Sequence, residues 1–138
     1  MRAKAIIKWI LRIIVFIIIA FLLILGIFTY QTEYRIADIA DSVSYDGRHE
    51  LLFQSVGEPD WPFGDSHARL VLKCHGKTVT KFDFDVANDG GILYPDNWSV
   101  SWEEKCVKVI IIGEEQPDIL YTLSFDGLVH SDSPKYFS

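Results

Sequence analysis

Between Ile13 and Thr32 the chain runs for twenty residues without a formal charge, and Ile13 to Phe28 is almost solidly aliphatic or aromatic. At a helical rise of about 1.5 Å per residue such a run is about 30 Å long, the thickness of a bilayer's hydrocarbon core. Residues 13–32 are therefore expected to form a transmembrane helix, with the lipid bilayer as their partner. The span divides the rest of the chain. A basic tail, residues 1–12, precedes it; residues 33–42 are expected to form a juxtamembrane helix or tether, and residues 43–138 a small β-domain.

The flanks set an orientation. Arg2, Lys4, Lys8 and Arg12 precede the apolar run, whereas its far end continues into Gln31, Thr32 and Glu33. A basic excess marks the cytoplasmic side, so the tail is expected inside and the β-domain extracytoplasmic, at the cell membrane. Trp9 and Tyr30 fall near the two interfaces, where an amphipathic ring keeps its body in lipid and its polar atom wet. A cleaved signal peptide shares the basic start and apolar core. Here the core is long, and Ile24-Leu25-Gly26-Ile27-Phe28-Thr29-Tyr30 offers no clear pair of small residues for a peptidase, which favours an uncleaved anchor.

Beyond residue 30 the chain carries nine Lys or Arg against nineteen Asp or Glu. A domain this acidic is repelled by nucleic acid and by anionic headgroups, which excludes a nucleic-acid-binding role. Its aromatic and β-branched content argues for one packed domain over disorder.

Glu33 to Asp41 places Ile36, Ile39 and Ala40 at helical spacing, the basis for the juxtamembrane helix. After the turn Tyr45-Asp46-Gly47-Arg48 the period changes to two. Strands are expected at His49–Val56, Ala68–Cys74 and Thr78–Val86, with Gly57–Asp65 irregular between the first two. A three-residue connection His75-Gly76-Lys77 would set Leu70 opposite Phe82 and Arg69 opposite Asp83. Trp98, Val100 and Trp102 then alternate with serines. A two-residue turn at Glu104-Lys105 would pair them with Ile111, Val109 and Val107, and the same rule pairs these with Ile119, Tyr121 and Leu123. The expected fold class is thus mainly β: an N-terminal transmembrane helix, then an antiparallel meander or sandwich of about six strands.

Ser44-Tyr45-Asp46-Gly47-Arg48 with the strand HELLF, and Trp98 to Val109, resemble turn-and-strand units of β-propeller blades. The layout as a whole resembles small uncharacterised single-pass membrane proteins of Gram-positive bacteria, in which an anchor precedes one β-rich domain. That resemblance implies a compartment and an architecture and no activity.

Candidate chemistry is sparse. Asp83, Asp85, Asn88, Asp89 and Asp96 gather oxygens around a glycine-rich loop, which makes Asp85, Asp89 and Asp96 the metal candidates. Against an EF-hand loop, however, a start at Asp85 puts Ala87 third and Asp96 where a bidentate Glu belongs, so a solvated acidic face is the simpler reading. His49, His67, His75 and His130 never fall at metal-ligand spacing, and no nucleophile motif gathers Ser, His and Asp. Asn97-Trp98-Ser99 matches a glycosylation acceptor that matters only in a eukaryotic secretory pathway. Trp61 and Phe63, in a stiff acidic loop, are the partner-binding candidates; the competing reading folds them back over the end of the core. Cys74 is expected on the apolar face and Cys106 on the opposite face, which leaves both thiols unpaired and Cys74 buried.

These readings converge on a membrane-anchored binding module, without catalysis or cofactor, that recognises an envelope or secreted protein, a basic one on charge grounds. An immunity or inhibitor protein acting against a toxin at the membrane surface is one alternative. An envelope hydrolase is the other.

Overall fold

The computed structural model describes residues 1–132; residues 133–138, the end of the expected β-domain, lie outside the described residues. Helix α1 spans Arg2–Thr29 and is prolonged by a π-helical turn, Tyr30–Tyr34. The combined segment of 33 residues has a mean hydropathy of 3.2 in its most apolar window, none of it buried, and is long and apolar enough to cross a membrane. The four basic residues sit on its first turns, so residues 2–12 belong to the same helix and form no separate tail.

The juxtamembrane helix expected at residues 33–42 is not formed beyond Tyr34: Arg35 turns to extended backbone and Ile36–Val43 is strand β1. The reason is a β-bulge. Pairing with the next strand shifts between Asp38 and Ala40, so Ile39 and its neighbour Ala40 are both half-buried and the alternation loses phase. A strand with one residue inserted imitates a helical repeat over so short a window.

Seven more strands follow: β2 (His49–Val56), β3 (Ser66–Cys74), β4 (Lys77–Val86), β5 (Trp98–Trp102), β6 (Cys106–Ile111), β7 (Ile119–Ser124) and β8 (Val129–Asp132). They form two antiparallel four-stranded meanders, β1-β2-β3-β4 and β5-β6-β7-β8. The expected pairings hold: Leu70 with Phe82, Arg69 with Asp83, and the ladders Trp98–Ile111–Ile119, Val100–Val109–Tyr121 and Trp102–Val107–Leu123. One connection differs. Cys74 pairs with Lys77, so the β3–β4 turn has two residues, His75 and Gly76, both at positive φ. A bulge at Leu72/Lys73 restores the register that a longer loop was expected to supply.

The sheets face each other across one core, in which Leu51, Phe53, Leu70, Leu72, Val86, Val107, Val109, Ile111 and Leu123 are fully buried. Phe53 stacks on Trp98 at 5.4 Å, Phe82 and Phe84 pack on Tyr121 at 5.2 and 5.0 Å, and Trp102 Nε1 donates to Ser42 Oγ at 2.9 Å. Cys74 and Cys106 lie in different sheets and are free. Cys74 is half-buried where burial was expected; it is the last residue of β3, at the end of the sheet where the core thins out.

Since Phe53 contacts both sheets, Phe53→Ala is expected to cost about 3–5 kcal/mol, whereas Tyr45→Ala, on a 97% exposed residue, should stay within about 0.5 kcal/mol. Chemical denaturation of the two variants measures the contrast; equal losses would refute the assigned core.

Candidate functional site

Alternating strand direction divides the sandwich into two ends. The chain enters β1 from α1, so the β2–β3, β4–β5 and β6–β7 connections lie at the helix-proximal end, and the β1–β2, β3–β4, β5–β6 and β7–β8 turns at the other. The helix-proximal loops are the long ones, and hydrogen bonds knit them into one platform. Gly90 N–H donates to Gly64 O at 2.9 Å and Ser66 Oγ to Gly91 O at 2.5 Å, which joins the first two loops. Ala87 N–H donates to Gln116 Oε1 at 2.8 Å, Glu115 N–H to Ala87 O at 3.0 Å and Asn97 Nδ2 to Ile112 O at 2.8 Å, which joins the second to the third. Buried Asn88 is the hub. Its Nδ2 donates to the Gly91 and Ile92 carbonyls and its Oδ1 accepts from Glu114 N–H.

The platform is fastened to the helix end. Gly57 N–H donates to Arg35 O and Glu58 N–H to Thr32 O, each at 2.7 Å. Gly57 has φ +68°, and a Cβ there would collide with the Thr32 carbonyl, so only glycine permits this approach.

Trp61 and Phe63 project from the platform 92% and 73% exposed. They do not cover the core, and the core-cap reading is overturned. Leu93, 5% exposed, is the loop residue that joins the core cluster, and the aromatics are left outside. Ile92 and Tyr94 of the β4–β5 loop are also exposed, and a mainly apolar recess of about 200 Å³ opens among Ile39, Pro59, Ile92 and Leu93, with Glu58 and His67 also lining it. The three loops carry Glu58, Asp60, Asp65, Asp89, Asp96, Glu114, Glu115 and Asp118 and not one Lys or Arg. The opposite end mixes both signs, with Arg48 and Lys105 among Asp46, Glu103 and Glu104. Ile92, Tyr94 and the β6–β7 carboxylates were missed from sequence. A count of charge by alternate loops would have found the asymmetry.

Asp85, Asp89 and Asp96 do not converge: Asp85 sits on β4, Asp89 on the following turn at φ +51°, and Asp96 in the 3-10 turn Pro95–Asn97. Among the described residues no group of three or more His, Cys, Asp or Glu is placed to hold a metal ion. Asp83 is instead held by Arg69, Nε to Oδ1 at 2.5 Å and Nη2 to Oδ2 at 3.0 Å. Asp85 accepts from His67 Nδ1 at 2.7 Å, while His67 Nε2 meets Asp60 Oδ1 at 2.9 Å. A residue of β3 therefore ties the aromatic loop to the sheet. Comparison of the chain with protein-family models, curated proteins and solved structures found no match.

His67 is raised above its ordinary pKa, first by hydrogen bonding to Asp60 and then to Asp85, against a smaller opposing effect of burial. Its contribution is therefore fully present below about pH 6.5 and is lost as pH rises through the elevated folded value. The melting-temperature gap between wild type and His67→Gln should be largest near pH 5.5 and vanish near pH 9. A gap that widens with pH would contradict the double ion pair.

Proposed function

We propose that the chain is a single-pass membrane protein with its N-terminus in the cytoplasm, whose extracytoplasmic sandwich works by binding another envelope or secreted protein and not by catalysis. The carrying observation is the aromatic pair Trp61 and Phe63, exposed on a loop that hydrogen bonds hold in place. Such a pair buries a large area at small entropic cost, because the backbone beneath it is already ordered. The orientation rests on Arg2, Lys4, Lys8 and Arg12 preceding the apolar run, with no basic residue after it until Arg35.

Protease added to intact protoplasts should digest the β-domain; digestion only after lysis would overturn the orientation. For the binding role, crosslinking in intact cells should capture a protein with wild type and lose it with Trp61→Ala/Phe63→Ala. The double variant's melting temperature should stay within about 2 °C, since both side chains are exposed. Unchanged capture would remove the loop from the binding site.

A further inference from the structure

Resting on that reading of Trp61 and Phe63 as anchors, we infer that the helix-proximal platform docks a secreted cationic amphipathic peptide at the outer membrane surface. Three observations select this occupant. The first is apolar. Ile39, Pro59, Ile92 and Leu93 line a recess of about 200 Å³, a volume suited to one or two aliphatic side chains from the apolar face of a helix, and Trp61 and Phe63 stand exposed on the same loop as Pro59. The second is charge. The loops that frame these side chains hold eight carboxylates without a Lys or Arg, so a basic ligand is steered in and an anionic headgroup layer is repelled.

The third is space. Glu58 N–H bonds to Thr32 O, which keeps the platform within about one helical turn of the end of α1. That proximity puts the platform at the outer membrane surface, where an amphipathic helix about 10 Å across lies flat. A juxtamembrane segment of another membrane protein would be equally thin. The positive-inside rule, however, depletes such segments of Lys and Arg on the outer side, so a basic segment there is better supplied by a secreted peptide.

The test uses the full chain in phosphatidylcholine nanodiscs, a Leu/Lys amphipathic peptide of about 18 residues as probe and its Leu/Glu counterpart as control. The basic peptide should bind saturably and the acidic one should not. Trp61→Ala/Phe63→Ala should weaken binding by about tenfold or more, Glu114→Gln/Glu115→Gln by about threefold, and raising salt from about 0.05 to about 0.5 M should weaken it further. Equal binding of both peptides, no binding of the basic one, or indifference to the Trp61/Phe63 change would overturn the inference. So would protection of residues 57–65 from hydrogen exchange by phosphatidylglycerol nanodiscs alone, which would make the bilayer the occupant. Nanodiscs expose both faces of the membrane, so a failure here is independent of the protoplast result, and intact-cell capture lost with the double variant would preserve the protein-binding reading alone.

Discussion

Everything at the helix-proximal end depends on the joint between the π-helical turn Tyr30–Tyr34 and Gly57. Two backbone hydrogen bonds, Gly57 N–H to Arg35 O and Glu58 N–H to Thr32 O, hold the start of the β2–β3 loop against the last helical turn. Without them the sandwich would hang from one extended residue, Arg35. With them, the loop that carries Trp61 is referenced to the axis of α1. The joint also satisfies backbone groups that the end of a helix leaves without partners. A side chain at position 57 would prevent the approach by colliding with Thr32, and the positive φ would add strain.

Strand pairing was legible because a two-residue period leaves little freedom once one face must be buried. Val107, Val109 and Ile111 can all point inward in only one register against Trp98, Val100 and Trp102, and the structure has that register. Where sequence reading failed, a bulge was responsible. In β1 the residue inserted at Ile39 made a strand look helical, and in β4 the residue inserted at Val79, opposite Leu72/Lys73, made a two-residue turn look like three. A bulge leaves no composition of its own at either place; it shows only in the partner strand's spacing, which no local window contains. Strand β8 was missed for a different reason: its residues Val129–Asp132 are all exposed, so burial imposes no alternation on them.

The site was half legible. Trp61 and Phe63 stood out by residue type, but whether they cap the core or face solvent depends on a competitor elsewhere in the chain. Leu93 fills that end of the core, and buried Asn88 holds its loop there by bonding to the Gly91 and Ile92 carbonyls. The acidic candidates failed for a related reason: Asp83 and Asp85 are occupied by Arg69 and His67 across the β3–β4 pair, a consequence of register and not of loop composition.

Order in the platform bears directly on how strongly it can bind. A flexible loop that presented two aromatics would lose backbone freedom on association, about 1–2 kcal/mol per residue fixed, and most of the gain from burying them would be offset. Here the loop is already closed by Asp60 N–H to Asp65 O and Gly64 N–H to Asp60 O, tied laterally to Gly90 and held to β3 through His67. That last tie strengthens as His67 gains its proton, since a neutral imidazole can donate to only one of its two carboxylates. Mild acidity therefore stiffens the aromatic loop, and because the proton on His67 stands between Asp60 and Asp85, it also lowers the negative charge next to Trp61. The two effects oppose each other for a cationic ligand: the ordered loop favours docking, while the reduced charge weakens steering.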